Sequence, residues 1–270
     1  MQQTEDFGCP VIDAHIHLDQ YEDDIQPLRL SLAPNGVKSV IAVSTQLASC
    51  QKIERAAAAA PELIYPAYGY HPEQSIPSTE QLNELLDWME NHTDSMIAVG
   101  EVGLPYYSRM EAEKAGQPFD MDPYISMLEQ FIIFAKKHDK PIILHAVYED
   151  ADLACDLLEK HQVKKAHFHW FKGSDDTIRR MAENGYYISF TPDLVYEKEI
   201  QDLASKYPHN QIMAETDGPW PFEGPFAAHK THPRMVKDVI RAWCDVTGVK
   251  LEIAAELFYK NTKQFYNLYS

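Results

Sequence analysis

Pro141-Ile142-Ile143-Leu144-His145 is an apolar run closed by an imidazole. A stretch with helical spacing, residues 149–161, follows it, and then comes Lys165-Ala166-His167-Phe168-His169. A run as apolar as the first is expected to be buried on both faces, as in the strands of a parallel sheet. The three segments therefore read as strand, helix and strand, with a histidine at the C-terminal end of each strand.

Outward from this unit the same alternation recurs. Short β-branched or apolar runs lie at residues 11–17, 39–44, 64–70, 96–101, 186–190 and 211–217, which with 141–145 and 165–169 makes eight. Helical spacing fills 47–60, 79–91, 122–138, 149–161, 175–184, 197–206, 234–246 and 251–266. Eight strands with interleaved helices point to an α/β fold of the (β/α)8, TIM-barrel type. A doubly wound open sheet is the competing architecture. The barrel is favoured by where polar residues fall: His17, His71, Glu101, His145, His169 and Asp217 lie at or just past strand C-terminal ends, the face where barrel enzymes assemble their sites.

The whole-chain numbers agree with one compact body. At 270 residues, with no Ser/Gly or Pro tract acting as a linker, a single domain over 1–270 is expected. A hydrophobic content of 45% excludes a disordered or fibrous chain. The net charge of −17 excludes a broad basic footprint for duplex DNA or an anionic membrane. It does not exclude a phosphate-bearing substrate, because bound cations reverse the local potential. No apolar run approaches the roughly 20 residues of a membrane span, and no apolar leader stands in the first ten residues, so no membrane partner and a cytoplasmic location are expected. Cys9, Cys50, Cys155 and Cys244 lie far apart with no C-x-x-C pair and read as buried thiols.

Chemistry gathers at the strand ends. In Asp13-Ala14-His15-Ile16-His17 the two histidines sit two apart, so they share a strand face and can hold one metal ion. Alone, that pattern is as compatible with two polar residues on a half-exposed strand. Glu101 stands where an apolar strand gives way to a turn; it is a rim charge, a helix cap or a carboxylate bridging two cations. His145 is a ligand or a core histidine bonded to a backbone carbonyl. His167 and His169 share a face, and His169 is chosen as the ligand because it is nearer the C-terminal end, with His167 one layer deeper. Asp217, before Gly218-Pro219, is a ligand or an ordinary turn aspartate. Together these imidazoles and carboxylates form a donor set suited to zinc, manganese or similar divalent ions. His71 in Gly69-Tyr70-His71-Pro72 either bonds a substrate oxyanion or decorates a turn. The segment 105–121 is long for a βα connection and reads as a lid, a substrate loop or an oligomer contact. Residues 218–233 carry Trp220, Phe222, Phe226, His229 and His232, aromatics that stack on bases or pack an ordinary loop.

With these motifs in hand, the sequence resembles the TatD-type metal-dependent deoxyribonucleases of the amidohydrolase-like barrel superfamily, over nearly the whole chain. The landmarks, in order, are the segment Asp13 to Asp19, Gly69-Tyr70-His71-Pro72, Gly100-Glu101-Val102-Gly103-Leu104, the run ending at His145, His169-Trp170-Phe171-Lys172-Gly173, Glu215-Thr216-Asp217-Gly218-Pro219, and Asn261-Thr262 with Phe265. The resemblance implies a two-metal site of magnesium, manganese or zinc, with His15, His17, Glu101 and Asp217 on one cation and Glu101, His145 and His169 on the other. It implies hydrolysis of phosphodiesters, several members being DNA exonucleases, with a 3'-5' exonuclease on single-stranded or frayed DNA ends, or on a small phosphodiester, as the leading expectation. Asp217 is expected to orient the attacking water or accept its proton, and His71, with Lys172, to bind phosphate oxygens. Two departures stand beside the ligands: Pro105 where the family usually has Asp, and Ala146-Val147-Tyr148 where it usually has Ser-Arg-Asp. They remove polar groups, including an arginine able to contact phosphate. Two rival readings remain: an amidohydrolase acting on a small amide, lactone or phosphotriester, and a metal-binding scaffold without catalysis.

Overall fold

The chain was analysed as a computed structural model that describes residues 7–268. Eight parallel strands hydrogen-bond in chain order: β1 (Val11–Ile16), β2 (Val37–Val43), β3 (Ile64–Tyr68), β4 (Ala98–Gly103), β5 (Ile142–His145), β6 (Ala166–Phe168), β7 (Tyr187–Phe190) and β8 (Ile212–Ala214). Between them run α1 (Ile25–Leu32), α2 (Leu47–Ala58), α3 (Thr79–Glu90), α4 (Tyr106–Lys114), α5 (Asp122–Lys137), α6 (Glu149–Lys160), α7 (Asp175–Asn184) and α8 (Lys198–Lys206). Helices α9 (Val236–Thr247) and α10 (Leu251–Tyr266) follow β8. The fold is of the (β/α)8, TIM-barrel class. Among the described residues no helix is long and apolar enough to cross a membrane.

All eight expected strands are present. Two helices were not anticipated. Helix α1 follows β1 after a 3-10 segment, Leu18–Asp24, and buries only Leu28 and Leu32, too few apolar positions to raise a helical period. Helix α4 lies inside the segment read as a loop, and corrects that reading: it buries none of its nine residues, so its sequence carries no apolar stripe. Two of the cysteines also differ from expectation, Cys9 and Cys244 being partly exposed while Cys50 and Cys155 are buried; all four are free thiols.

The chain divides into two compact units, residues up to Ile41 together with those from Ser189 onward, and Ala42 to Ile188. In the first unit β1 and β8 run in parallel: the Asp217 amide donates to the His15 carbonyl (3.0 Å) and the His17 amide to the Gly218 carbonyl (2.8 Å). Helix α10 packs on β1 and β8, burying Phe258 and Tyr266, and Trp243 of α9 is fully buried. The Asn261 side chain on α10 donates to the carbonyls of His209 (2.8 Å) and Ile212 (2.9 Å), which fixes the start of β8.

In the second unit β3 to β6 pair in sequence order, with Val99 opposite Ile142 and Gly103 opposite His145. Gly103 has φ +156°, and a Cβ there would stand 1.9 Å from the His145 carbonyl oxygen. Only glycine fits a strand end that approaches its neighbour so closely. Phe131 and Ile132 of α5 bury against this sheet together with Phe168. Helix α3 begins with a capping box between Ser78 and Gln81, and α7 begins at Ser174 and ends at a left-handed Gly185, so local sequence sets their limits.

Candidate metal centre

In the first unit, strand alternation turns His15 and His17 to the same side of β1, and the Nε2 of each lies 3.4 Å from Asp217 Oδ1. The two rings meet edge to face with centroids 5.3 Å apart. Asp217 sits just past β8 at φ +47°, a backbone conformation that few residues other than glycine adopt. The parallel bonds between the chain around His15 and that around Gly218 hold it there. Burial works against ionisation of Asp217, but bonds from His15 and His17 outweigh it and keep the carboxyl well below the usual carboxylate range.

Beneath this cluster lies Asp13, which accepts from the Thr216 amide (2.9 Å), the Thr216 hydroxyl (2.5 Å) and the His15 amide (3.3 Å). Burial raises the Asp13 carboxyl well above its ordinary value, the Thr216 and His15 bonds pulling the other way. The buried Asp13 therefore ties β1, two residues before His15, to Thr216, one residue before Asp217.

In the second unit four strands each deliver one side chain. His71 follows β3, Glu101 lies within β4, His145 closes β5 and His169 follows β6. Three imidazoles converge on one oxygen: Glu101 Oε1 lies 3.2 Å from His71 Nε2, 3.1 Å from His145 Nδ1 and 2.7 Å from His169 Nε2. Glu101 is fully buried. His145 Nδ1 and His169 Nε2 are 3.3 Å apart, and single ligand atoms of His71, Glu101 and His145 all fall within 4.8 Å of one another. Burial pushes the His145 imidazole down, but bonds to Glu101 and Glu73 outweigh it and raise its pKa. Of the two histidines weighed on β6, His169 is the one at Glu101, while His167 stays buried within the strand.

His71 faces its neighbours asymmetrically. Its Nδ1 accepts from the Glu73 amide (3.2 Å), so in the neutral ring the proton sits on Nε2, toward Glu101. Placed this way it is a donor.

Glu73 escaped the sequence reading. Its carboxylate meets His145 Nε2 at 3.2 Å and accepts from the Tyr107 amide (2.8 Å), the Ser108 amide (2.8 Å) and the Ser108 hydroxyl (2.5 Å). Burial raises the Glu73 carboxyl, but the bonds from His145, Ser108 and Tyr107 outweigh it and bring the pKa to about 2. An acid two residues past His71 and after Pro72 looks in sequence like any turn acid. Nothing local marks its second partner, some 35 residues away on α4.

The two family departures lie in this unit. Pro105 immediately precedes α4, and Ala146 and Val147 are buried. Tyr148 has φ +52° at the start of α6, and its ring packs on Tyr106 (centroids 5.0 Å), while Tyr107 meets His145 edge on (6.0 Å). Arg109 of α4 is engaged by Glu149 (2.9 Å) and the buried Asp150 (2.8 Å). Lys172 lies over the Trp170 ring at 4.9 Å, and its carbonyl accepts from the Tyr148 amide (2.6 Å). In the first unit Phe222 and Phe226 are buried, and Trp220 is 56% exposed.

The donors fit divalent ions. Imidazole nitrogens and carboxylate oxygens, gathered at or near contact distance, are the ligand types that zinc and manganese accept.

Residues 12–267 match the family model described as TatD related DNase. A Haemophilus influenzae protein named an uncharacterized metal-dependent hydrolase is 37% identical over 258 residues, covering 96% of this chain and 100% of that one. Human deoxyribonuclease TATDN3 is 24% identical over 268 residues, covering 96% and 95%. Among solved structures, the Escherichia coli TatD homolog YjjV superposes with a TM-score of 0.81 at 25% identity, covering 96% of this chain and 98% of its own.

Proposed function

The chain belongs to the TatD-related DNase family, and from that premise we propose that it is a metal-dependent hydrolase of phosphodiesters, a 3'-5' exonuclease acting on single-stranded or frayed DNA ends. The observation that carries the reading is the convergence of His71, His145 and His169 on the buried Glu101 Oε1. Imidazoles drawn onto one buried carboxylate oxygen mark a place suited to a cation. The proposed ligands are His15, His17 and Asp217 in the first unit and Glu101, His145 and His169 in the second, for two ions of magnesium, manganese or zinc. A divalent ion held by such donors polarises a phosphoryl oxygen and offsets the charge that develops during hydrolysis.

The chain's own residues do the rest. Asp217, kept ionised by its two histidines, orients the attacking water and accepts its hydrogen bond. His71 carries its proton on Nε2, 3.2 Å from Glu101 Oε1, and shares it with a substrate oxygen bound beside that carboxylate. His15, His17, His145 and His169 stay as ligands, the first two and His169 fixed by burial in or beside the strands and His145 by its bonds to Glu101 and Glu73.

The test is cleavage of end-labelled single-stranded DNA by protein loaded with magnesium, manganese or zinc, beside an EDTA control and Glu101→Ala. The expected result is a metal-dependent ladder shortening from the 3' end, absent in both controls. No cleavage by fully loaded protein sinks the nuclease reading.

A second reading, hydrolysis of a small amide, lactone or phosphotriester at the same donors, has one specific observation behind it. Arg109 is already neutralised by Glu149 and Asp150, and the buried Val147 stands where the family usually has an arginine able to contact phosphate. Faster turnover of lactone or phosphotriester probes than of a nitrophenyl phosphodiester would favour it.

A further inference from the structure

Helix α4 has no apolar face to hold it. None of its residues is buried, yet its first turn is tied down, because the amides of Tyr107 and Ser108 and the Ser108 hydroxyl all donate to one carboxylate, Glu73. These are the first-turn donors that a helix leaves unsatisfied, and a carboxylate suits them by hydrogen bonding and by charge. The same carboxylate meets His145 Nε2 at 3.2 Å, on the far side of the ring from Glu101 and His169, which both face Nδ1. One side chain thus joins the outer nitrogen of a ligand histidine to the start of a polar helix.

We propose that Glu73 is a positioning residue that couples occupancy of the His145 site to the placement of α4. The inference rests on the metal-dependent reading above. By accepting the Nε2 proton, Glu73 fixes the tautomer of His145 and leaves Nδ1, the nitrogen turned toward Glu101 and His169, as the one that ligates. A carboxylate bonded to the outer nitrogen of a metal-binding histidine orients the ring and raises its basicity. A cation on Nδ1 makes the Nε2 proton a stronger donor and tightens its bond to Glu73. Glu73 is thereby held at the first turn of α4, so Tyr106 and Tyr107, which stand beside Tyr148 and His145, are set in place when the site is filled.

The experiment compares wild type, Glu73→Gln, Glu73→Ala and Ser108→Ala in the full chain. Zinc and manganese affinity is measured by competition with a chromophoric chelator, and amide hydrogen exchange is followed across α4 with and without the metal. In wild type, metal is expected to slow exchange at Tyr107 and Ser108. Glu73→Ala is expected to weaken metal binding about 10- to 100-fold, the usual range for losing such an outer partner, and to abolish the metal-dependent protection of α4. Glu73→Gln keeps an acceptor oxygen and is expected to fall between them. Ser108→Ala should loosen α4 and, because coupling is reciprocal, weaken metal binding too, but by less than Glu73→Ala, since it does not touch His145.

In zinc-loaded protein, nitrogen-15 shifts of His145 are expected to report a ligated Nδ1 and a protonated Nε2. A ligated Nε2 overturns the proposal, as does a Glu73→Ala protein that is folded, binds metal as wild type does and keeps metal-dependent protection of α4. Wild-type protein that binds neither metal overturns the parent reading instead, and the two failures are told apart by that control.

Discussion

In the first unit His15, His17 and Asp217 stand at the ends of two strands that bond to each other backbone to backbone. In the second, Glu101, His145, His169 and His71 come from four strands, and a carboxylate outside those strands, Glu73, reaches one of them from behind. The first cluster is fixed by main-chain pairing and a buried Asp13 between its strands. The second is fixed by side chains holding side chains, with α4 added as an outer layer. A site braced by backbone changes little when a side chain is lost, whereas one braced by side chains transmits the loss to whatever else those side chains hold.

That contrast is tested most strongly at Glu101, where three imidazoles meet one oxygen. If the roughly 10–16 kcal/mol of a structural zinc site is shared among four ligands, removing one costs about 10²–10³-fold in affinity. Glu101→Ala is expected to lose metal on that scale by chelator competition. His17→Ala is expected to lose less, because Asp217 keeps its place through the backbone bond to His15. Equal losses in the two variants would mean that the clusters are braced alike.

The next effect falls on stability. Arg109 is the cation of the outer layer, 14% exposed, and Asp150 opposite it is 1% exposed. Arg109→Ala leaves that carboxylate buried without its counter-charge, which costs about 2–3 kcal/mol, less than the about 3–5 of a fully buried pair. Burial already raises the Asp150 carboxyl, and the loss of Arg109 raises it further. The folded variant then binds a proton that the unfolded chain does not, so its deficit against wild type should shrink as pH falls through that raised value and be greatest at neutral pH. Urea melts of both proteins at several pH values check this; a pH-independent deficit would assign the role of Arg109 to packing over α4 and Tyr106.

How much of this was legible in the sequence follows the same division. The eight strands could be read because buried parallel strands are apolar runs, and the proposed ligands His145 and His169 stood out because each closes such a run at its C-terminal end. For His15 and His17 the strand period gives only a shared face, and it takes the other strand ends to single them out. Helix α4 could not be read, since its stability comes from Glu73, Glu149 and Asp150 and not from a buried stripe. Glu73 was hidden for the matching reason: its two partners, His145 and Ser108, are distant in sequence, and a turn acid carries no mark of what it will meet. Helix α1 was lost to its small apolar face, Leu28 and Leu32. The end of β8 was overread, the strand stopping at Ala214, because Glu215 and Asp217 still bond to Phe190 and His15 but outside the regular ladder, and Asp217 has turned to a positive φ.

The smallest expected effect bears on the first unit alone. Thr216→Val keeps the residue's shape and its amide bond to Asp13, but removes the hydroxyl that donates to Asp13 Oδ2 and accepts a long bond from the Gly218 amide (3.3 Å). A buried acceptor left short of one donor costs about 1–3 kcal/mol, and the lower end is expected, since a carboxyl already raised by burial can take up a proton in place of the lost bond. If the backbone bonds from Asp217 to His15 and from His17 to Gly218 are what hold the cluster, metal affinity in this variant stays within about twofold while the melting midpoint drops by about 2–4 °C, as a loss of about 1 kcal/mol does in a chain of this size. A fall in affinity as large as that of Glu73→Ala would show that Asp13 and Thr216 brace the first cluster by side chain after all, and the contrast between the two clusters would dissolve.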